Sequence, residues 1–235
     1  MIEKTRTMVQ TMFPRGSRVY RGIRRVGKLL LPQPSIKTTF TRIYENNCWA
    51  DPESVSGRGS TLARTEVIRH ALPVLLESIG AKSLLDAACG DFNWMRHVDL
   101  SGIEYSGADV VPELVSRNCR LYGGKGKSFA VLDITRDPLP EVDVILCRDC
   151  LIHLSSKHVR AAIANFKRSN SSFLLATTHT TITQNEDTQS GCGRLVNLQL
   201  SPFNFPPPLQ LITEDAELGK HLGLWSIEKL MKDYS

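Results

Sequence analysis

Two groups of residues in this chain have the types and spacing to do chemistry. The first is LCRDCLIHLS, Leu146 to Ser155, where Cys147 and Cys150 form a C-x-x-C pair and His153 follows. A structural zinc site needs about four ligands, and only Cys192 stands in reserve here. Haem attachment needs a His directly after the second Cys, and His153 comes too late. The thiols therefore read as apolar packing residues and no metal is expected. The residues between and after them read as the reactive ones. Asp149 or His153 could take a proton from a hydroxyl or amine. Arg148 could hold an anion, either a substrate or a cofactor carboxylate. The alternative is that Asp149 caps a turn and His153 packs under a sheet. His179 is a second imidazole expected at the same rim.

The second group is three carboxylates. Asp86 lies in LLDAACGDFNW and is followed by Gly90, while Asp109 ends EYSGAD and Asp133 ends SFAVLD. An acidic residue about 20 positions after such a glycine is placed to accept hydrogen bonds from ribose hydroxyls. Three carboxylates at successive strand ends suit a ligand with an amine, a diol and an exocyclic amino group. Any one of them alone could simply cap a turn.

The elements that must position these groups follow from hydrophobic patterning. Strands are expected at Lys82–Ala87, Glu104–Asp109, Ser128–Asp133, Val142–Cys147 and Ser172–Thr177. Helices are expected from about Asn93, over Pro112–Leu121 and over Ser156–Ser169. An earlier helix, capped by Ser60 or Thr61, carries Leu62, Val67, Ile68 and Leu72 on one face and ends at Gly80. This alternation predicts an α/β fold with a parallel, doubly wound sheet. Residues 36–61 read as irregular. Residues 180–208 read as a substrate loop or lid, or else a surface excursion, followed by closing strands at Leu209–Thr213 and Leu222–Ile227.

The motifs LLDAACGD, YSGADVV, FAVLDIT and DVILCRDCLIHL, in that order, resemble the class I S-adenosylmethionine-dependent methyltransferases. The resemblance covers about Ser83 to Thr178. It implies a Rossmann-like sheet of strand order 3-2-1-4-5-7-6 with strand seven antiparallel. It implies S-adenosylmethionine as cofactor. Asp86 and the Ala88–Gly90 backbone would hold the methionine end, Asp109 the ribose, and Val110 would lie beside the adenine. Asp133 would take the adenine amino group and the Ile134 N–H a ring nitrogen. Asp149 and His153 stand where the family places reacting groups. Ala88 and Phe92 stand where the family's turn has glycines. Phe92 either packs under the following helix or narrows the pocket, and the second case would favour a non-catalytic adenosyl-binding or partner-binding module. The absence of G-x-G-x-x-G argues against a dehydrogenase. If the SGRGST loop folds over the crevice, Arg58 could bind the cofactor carboxylate and Trp49 could cover it.

The chain of 235 residues carries a net charge of +5, but the charge is uneven. Residues 1–35 hold eight Lys and Arg against one acid, so the remainder sums to −2. The body is not a basic nucleic-acid binder. Within the arm, residues 17–31 pattern as a basic amphipathic helical extension ended by Pro32. It suits peripheral contact with an anionic membrane face, an organelle transit segment, or a solvated arm. Six scattered cysteines without a secreted pattern suit a cytoplasmic location. The expected layout is a 1–35 arm and one methyltransferase-like domain over 36–235. In that domain, residues 82–178 form the cofactor core and residues 179–235 the substrate loop and closing strands. The expected acceptor is a small molecule or a glycan- or lipid-linked substrate.

Overall fold

The computed structural model describes residues 34–231, so the amphipathic stretch 17–31 lies outside the described residues. Seven strands form one sheet: β1 (Ser83–Ala87), β2 (Glu104–Asp109), β3 (Lys127–Val131), β4 (Val144–Cys147), β5 (Phe173–His179), β6 (Gln210–Asp215) and β7 (Lys220–Ser226). Their order is β3-β2-β1-β4-β5-β7-β6, as expected. The first five pair in parallel, and β7 runs antiparallel to β5 and β6. β4 is buried along its whole length, which is why its sequence is a continuous apolar run. Register aligns the carboxyl ends: Ala87 lies opposite Ala108, and Asp109 opposite Val131.

Five α-helices are described: α1 (Ile36–Glu45), α2 (Glu66–Ser78), α3 (Pro112–Tyr122), α4 (Ser156–Arg168) and α5 (Ile227–Met231). Two apolar cores lie on the sheet. One joins Leu85, Ile145, Val159, Phe166 and Trp225. The other joins Ile68, Leu72, Phe92, Met95 and Tyr105.

Four expectations are corrected. Residues 36–61 are not wholly irregular, because α1 occupies their first ten residues. α2 begins at Glu66 rather than after Ser60 or Thr61, and Thr65 is its N-cap residue. Its buried face is Ile68, Leu72, Leu75 and Leu76, while Val67 is exposed.

No α-helix follows β1. The chain makes only a single 3-10 turn, Met95–His97. Asp91 and Asn93 use their side chains on the preceding loop, which competes with helix formation. Phe92 adopts φ +60°, a left-handed conformation that interrupts a right-handed helix.

The segment 180–208 contributes to the core. It lacks regular structure but sends Val196, Leu198, Phe203 and Phe205 into the first core. The Asn185 side chain staples it, donating to the Asn197 and Ser201 carbonyls and accepting from the Asn197 N–H.

Phe92 is fully buried among Tyr105, Tyr122 and Phe129, with ring centroids at 5.1, 5.1 and 5.2 Å. Phe92→Ala is expected to cost about 3–5 kcal/mol, because it opens a cavity among rings that cannot close in. Chemical denaturation checks this as a lowered midpoint at unchanged slope.

Candidate active site

The strand ends and the loop before α2 enclose a cavity of about 420 Å3, within the ~300–1,000 Å3 of small-molecule sites. All twelve residues singled out from the sequence line it: Asp86, Ala88, Gly90, Asp109, Val110, Asp133, Ile134, Arg148, Asp149, His153, Trp49 and Arg58. His179 is not among them. It is buried beyond the rim, where its ring meets the Val196 backbone.

The floor is built by β1, β2 and β3. Asp86 accepts a hydrogen bond from the Tyr105 hydroxyl at 2.8 Å. Burial raises its pKa to about 7, partly offset by that hydrogen bond and reinforced by the neighbouring Asp109. Asp109 accepts the Gly90 N–H at 3.1 Å and the Val111 N–H at 3.0 Å, one on each oxygen. Burial raises its pKa as well, against the pull of those N–H groups. Asp133 accepts the Thr135 N–H and hydroxyl at 3.0 and 2.6 Å through one oxygen, while its other oxygen faces Arg136 at 3.5 Å. The Ile134 N–H makes no hydrogen bond among the described residues.

The roof is the SVSGRGS loop, and it does fold over the crevice. The signal that holds it was not read from the sequence. The Asp91 carboxylate, just past the β1 turn, accepts from the Ser54 hydroxyl at 2.9 Å and the Val55 N–H at 3.0 Å. Asn93 donates to Glu53 and to the Ser60 carbonyl. Gly90 sits at φ +54°, and a side chain there would collide with Ser56. This close approach is what its glycine serves. Arg58 lies at the cavity edge with no hydrogen bond or ion pair to its guanidinium among the described residues.

The far wall is the turn after β4. Arg148 is buried and engages Glu214 through two nitrogens, at 3.0 Å from Nε and 2.6 Å from an Nη. It also stacks over Trp94 at 5.2 Å and approaches Asp149 at 3.4 Å. Arg148 is thus already committed, which leaves it little freedom to grip a free anion. Asp149, at φ +51°, pairs with Lys220 at 2.6 Å. Burial pushes its pKa up, but Arg148 and Lys220 outweigh burial and hold it below the usual carboxylate value. Glu214 and Lys220 came from the closing strands, and no sequence spacing pointed to them.

His153 stacks on Trp49 at 5.1 Å, and its Nδ1 is buried without a hydrogen-bond partner. Burial lowers its pKa, partly offset by Asp149. Its ring is neutral near pH 7. The 180–208 segment does not line the cavity but supports His153 from behind, where the Gly191 N–H donates to the His153 carbonyl at 2.8 Å.

The two thiols do adjoin. The neighbouring Cys150 thiol and full burial push Cys147 up. Among the described residues no group of three or more His, Cys, Asp or Glu is arranged to hold a metal.

Sheet order and site position define the class I S-adenosylmethionine-dependent methyltransferase fold. No protein-family model matches the chain, and no curated protein matches it in sequence. Solved structures do match. Human N-acetylserotonin methyltransferase in complex with SAM shares 15% identity at a TM-score of 0.56, covering 81% of this chain and 59% of that one. This chain thus spans less than two thirds of the human protein. Burkholderia thailandensis 1,6-didemethyltoxoflavin-N1-methyltransferase, with bound 1,6-didemethyltoxoflavin and S-adenosylhomocysteine, shares 15% at 0.55 over 83% and 92%. Magnesium protoporphyrin IX methyltransferase from Synechocystis PCC 6803, with bound SAM, shares 11% at 0.54 over 83% and 99%. At these identities the likeness is one of fold.

Asp86 yields a pH prediction. Its carboxyl titrates at 3.8 when unperturbed and at about 7 in the fold. Between those values the folded protein binds the extra proton, so this contribution to stability is lost as pH rises through about 7. Asp86→Asn keeps an acceptor for Tyr105 and removes the charge. The variant is expected to be the more stable protein at about pH 8, by up to roughly 4 kcal/mol. The difference should shrink towards zero near pH 4. Denaturation at both pH values checks it.

Proposed function

We propose that the protein transfers a methyl group from S-adenosylmethionine to an oxygen or nitrogen nucleophile of a small-molecule or glycan- or lipid-linked acceptor. The observation that supports this most is the convergence of three strand-end carboxylates on one cavity of the right size. The matching structures are methyltransferases with bound SAM or S-adenosylhomocysteine. The residues present fit this cofactor. Asp86 and the Ala88–Gly90 backbone suit its methionine end, and Gly90 leaves room at the turn. Asp109 keeps acceptor capacity for a ribose diol beyond its two backbone N–H groups. Asp133 and the free Ile134 N–H suit the adenine edge, with Val110 beside the ring. Arg58, with its uncommitted guanidinium, suits the carboxylate.

When bound, the cofactor supplies an electrophilic methyl group on sulfur. The protein's part is alignment, exclusion of water and movement of one proton. His153, neutral near pH 7, is the group that accepts the acceptor's proton at its ring. Asp149 stays ionised and stabilises the imidazolium that results. Trp49 covers the site. Phe92, which could have favoured a non-catalytic module by narrowing the pocket, does not line the cavity.

Titration calorimetry with S-adenosylhomocysteine tests the cofactor reading, and no binding to the wild-type protein overturns it. Asp109→Ala and Arg58→Ala are each expected to weaken binding, at least about ten-fold for Asp109. His153→Ala is expected to lower turnover by about 10²–10⁴-fold while leaving S-adenosylhomocysteine affinity in place. The acid limb of the wild-type rate profile should fall below the ordinary His value of 6.5. An acid limb above that value removes His153 as the base.

A further inference from the structure

The cavity lining combines two chemically different sets of residues. One is the carboxylates Asp86, Asp109 and Asp133. In the other, α1 presents Ile36, Phe40 and Tyr44 to the lining. These recur four residues apart and so form one stripe along the helix. The charged residues of α1, Lys37, Arg42 and Glu45, fall off the stripe and do not line the cavity. Trp49 continues the stripe, with its ring 6.3 Å from Phe40 and 5.1 Å from His153. The three rings follow one another along a single wall. Phe40, Tyr44 and Trp49 are only half-buried, so their apolar area still faces open volume. Covering that area with an apolar surface is favourable.

We propose that this aromatic set forms an acceptor subsite for a planar aromatic small molecule carrying a hydroxyl or amine, the assignment resting on the methyl-transfer reading above. The Phe40–Trp49–His153 wall offers ring faces and edges, which favour stacked or edge-on aromatic partners. Its polar groups are few: the Tyr44 hydroxyl and the His153 ring. A sugar would bring several hydroxyls into a wall that satisfies one or two, and buried unpaired hydroxyls are costly. A single hydroxyl or amine on an aromatic ring matches that supply. His153 is both the last ring of the wall and the proton acceptor, so the group to be methylated would sit where the wall ends.

The test uses the full chain saturated with S-adenosylhomocysteine. Binding of 2-naphthol and of methyl α-glucoside is measured by titration calorimetry on the wild-type, Phe40→Ala and Phe40→Trp proteins. The expected result is 2-naphthol binding that weakens at least about ten-fold in Phe40→Ala and is retained in Phe40→Trp, with no glucoside binding. S-adenosylhomocysteine affinity within about two-fold of wild type in both variants confirms that they fold. Tighter binding of the glucoside than of 2-naphthol overturns the proposal, as does 2-naphthol affinity indifferent to Phe40→Ala. In either case the cofactor reading stands. Failure of the wild-type protein to bind S-adenosylhomocysteine overturns the cofactor reading, and the acceptor assignment with it.

Discussion

The cavity exists because one buried carboxylate ties its roof to its floor. Asp91 follows the β1 turn, and its oxygens accept from the Ser54 and Ser56 hydroxyls and from the Val55 and Asn93 N–H groups, at 2.9 to 3.2 Å. Its own N–H donates to Ser56 at 2.9 Å. The loop so held is about 35 residues away in sequence, so closing it costs chain entropy. Charge-assisted hydrogen bonds to a carboxylate are roughly twice as strong as neutral ones, which suits them to offset that cost. Gly90 completes the arrangement, because any side chain there would push Ser56 off. Roof, turn and carboxylate form one unit, and Arg58 is carried on it.

A second constraint acts at the opposite wall. Arg148, Asp149, Glu214 and Lys220 form a buried or half-buried set of two cations and two anions. Each carboxylate contacts both cations. A set this complete satisfies charges that would otherwise be expensive to bury. It also divides the labour in the β4 turn. Asp149 is held ionised and fixed by Lys220, Arg148 and Thr177. His153 has no hydrogen-bond partner at Nδ1, and burial lowers its pKa against the opposing effects of Asp149 and the Cys192 backbone. Two residues that look equivalent in sequence therefore differ in surroundings, and the difference comes from β6 and β7.

The floor of the site was legible in the sequence. Strand ends are marked by apolar runs that stop at an acid, and parallel register brings those ends level, so the order of Asp86, Asp109 and Asp133 along the chain is also their order across the sheet. The roof was only half legible. SVSGRGST announced a turn before a helix, but the tie to Asp91 is a long-range pairing with no spacing rule. α1 was missed because its mean hydropathy is low and only Ile36 of its stripe is buried in the core, while Phe40 and Tyr44 stay half-buried at the cavity. The helix expected after β1 fails for a local reason, since Asp91 and Asn93 spend their side chains on the roof. Phe92 was read as either packing under the following helix or narrowing the pocket. Its ring packs among Tyr105, Tyr122 and Phe129 and does not line the cavity.

The floor is left short of positive charge. Burial raises the pKa of Asp86 and of Asp109; Asp109 adds to the first rise and Asp91 to the second, and Arg148 offsets only part of the rise at Asp86. A fold selected for stability alone would place amides or apolar groups there, because buried carboxylates near one another destabilise their ionised forms. The imbalance has a use when the ligand is a cation. An ammonium group beside Asp86 would draw off its proton and turn an unfavourable site into a paired one. Ligand binding and proton release are then one event.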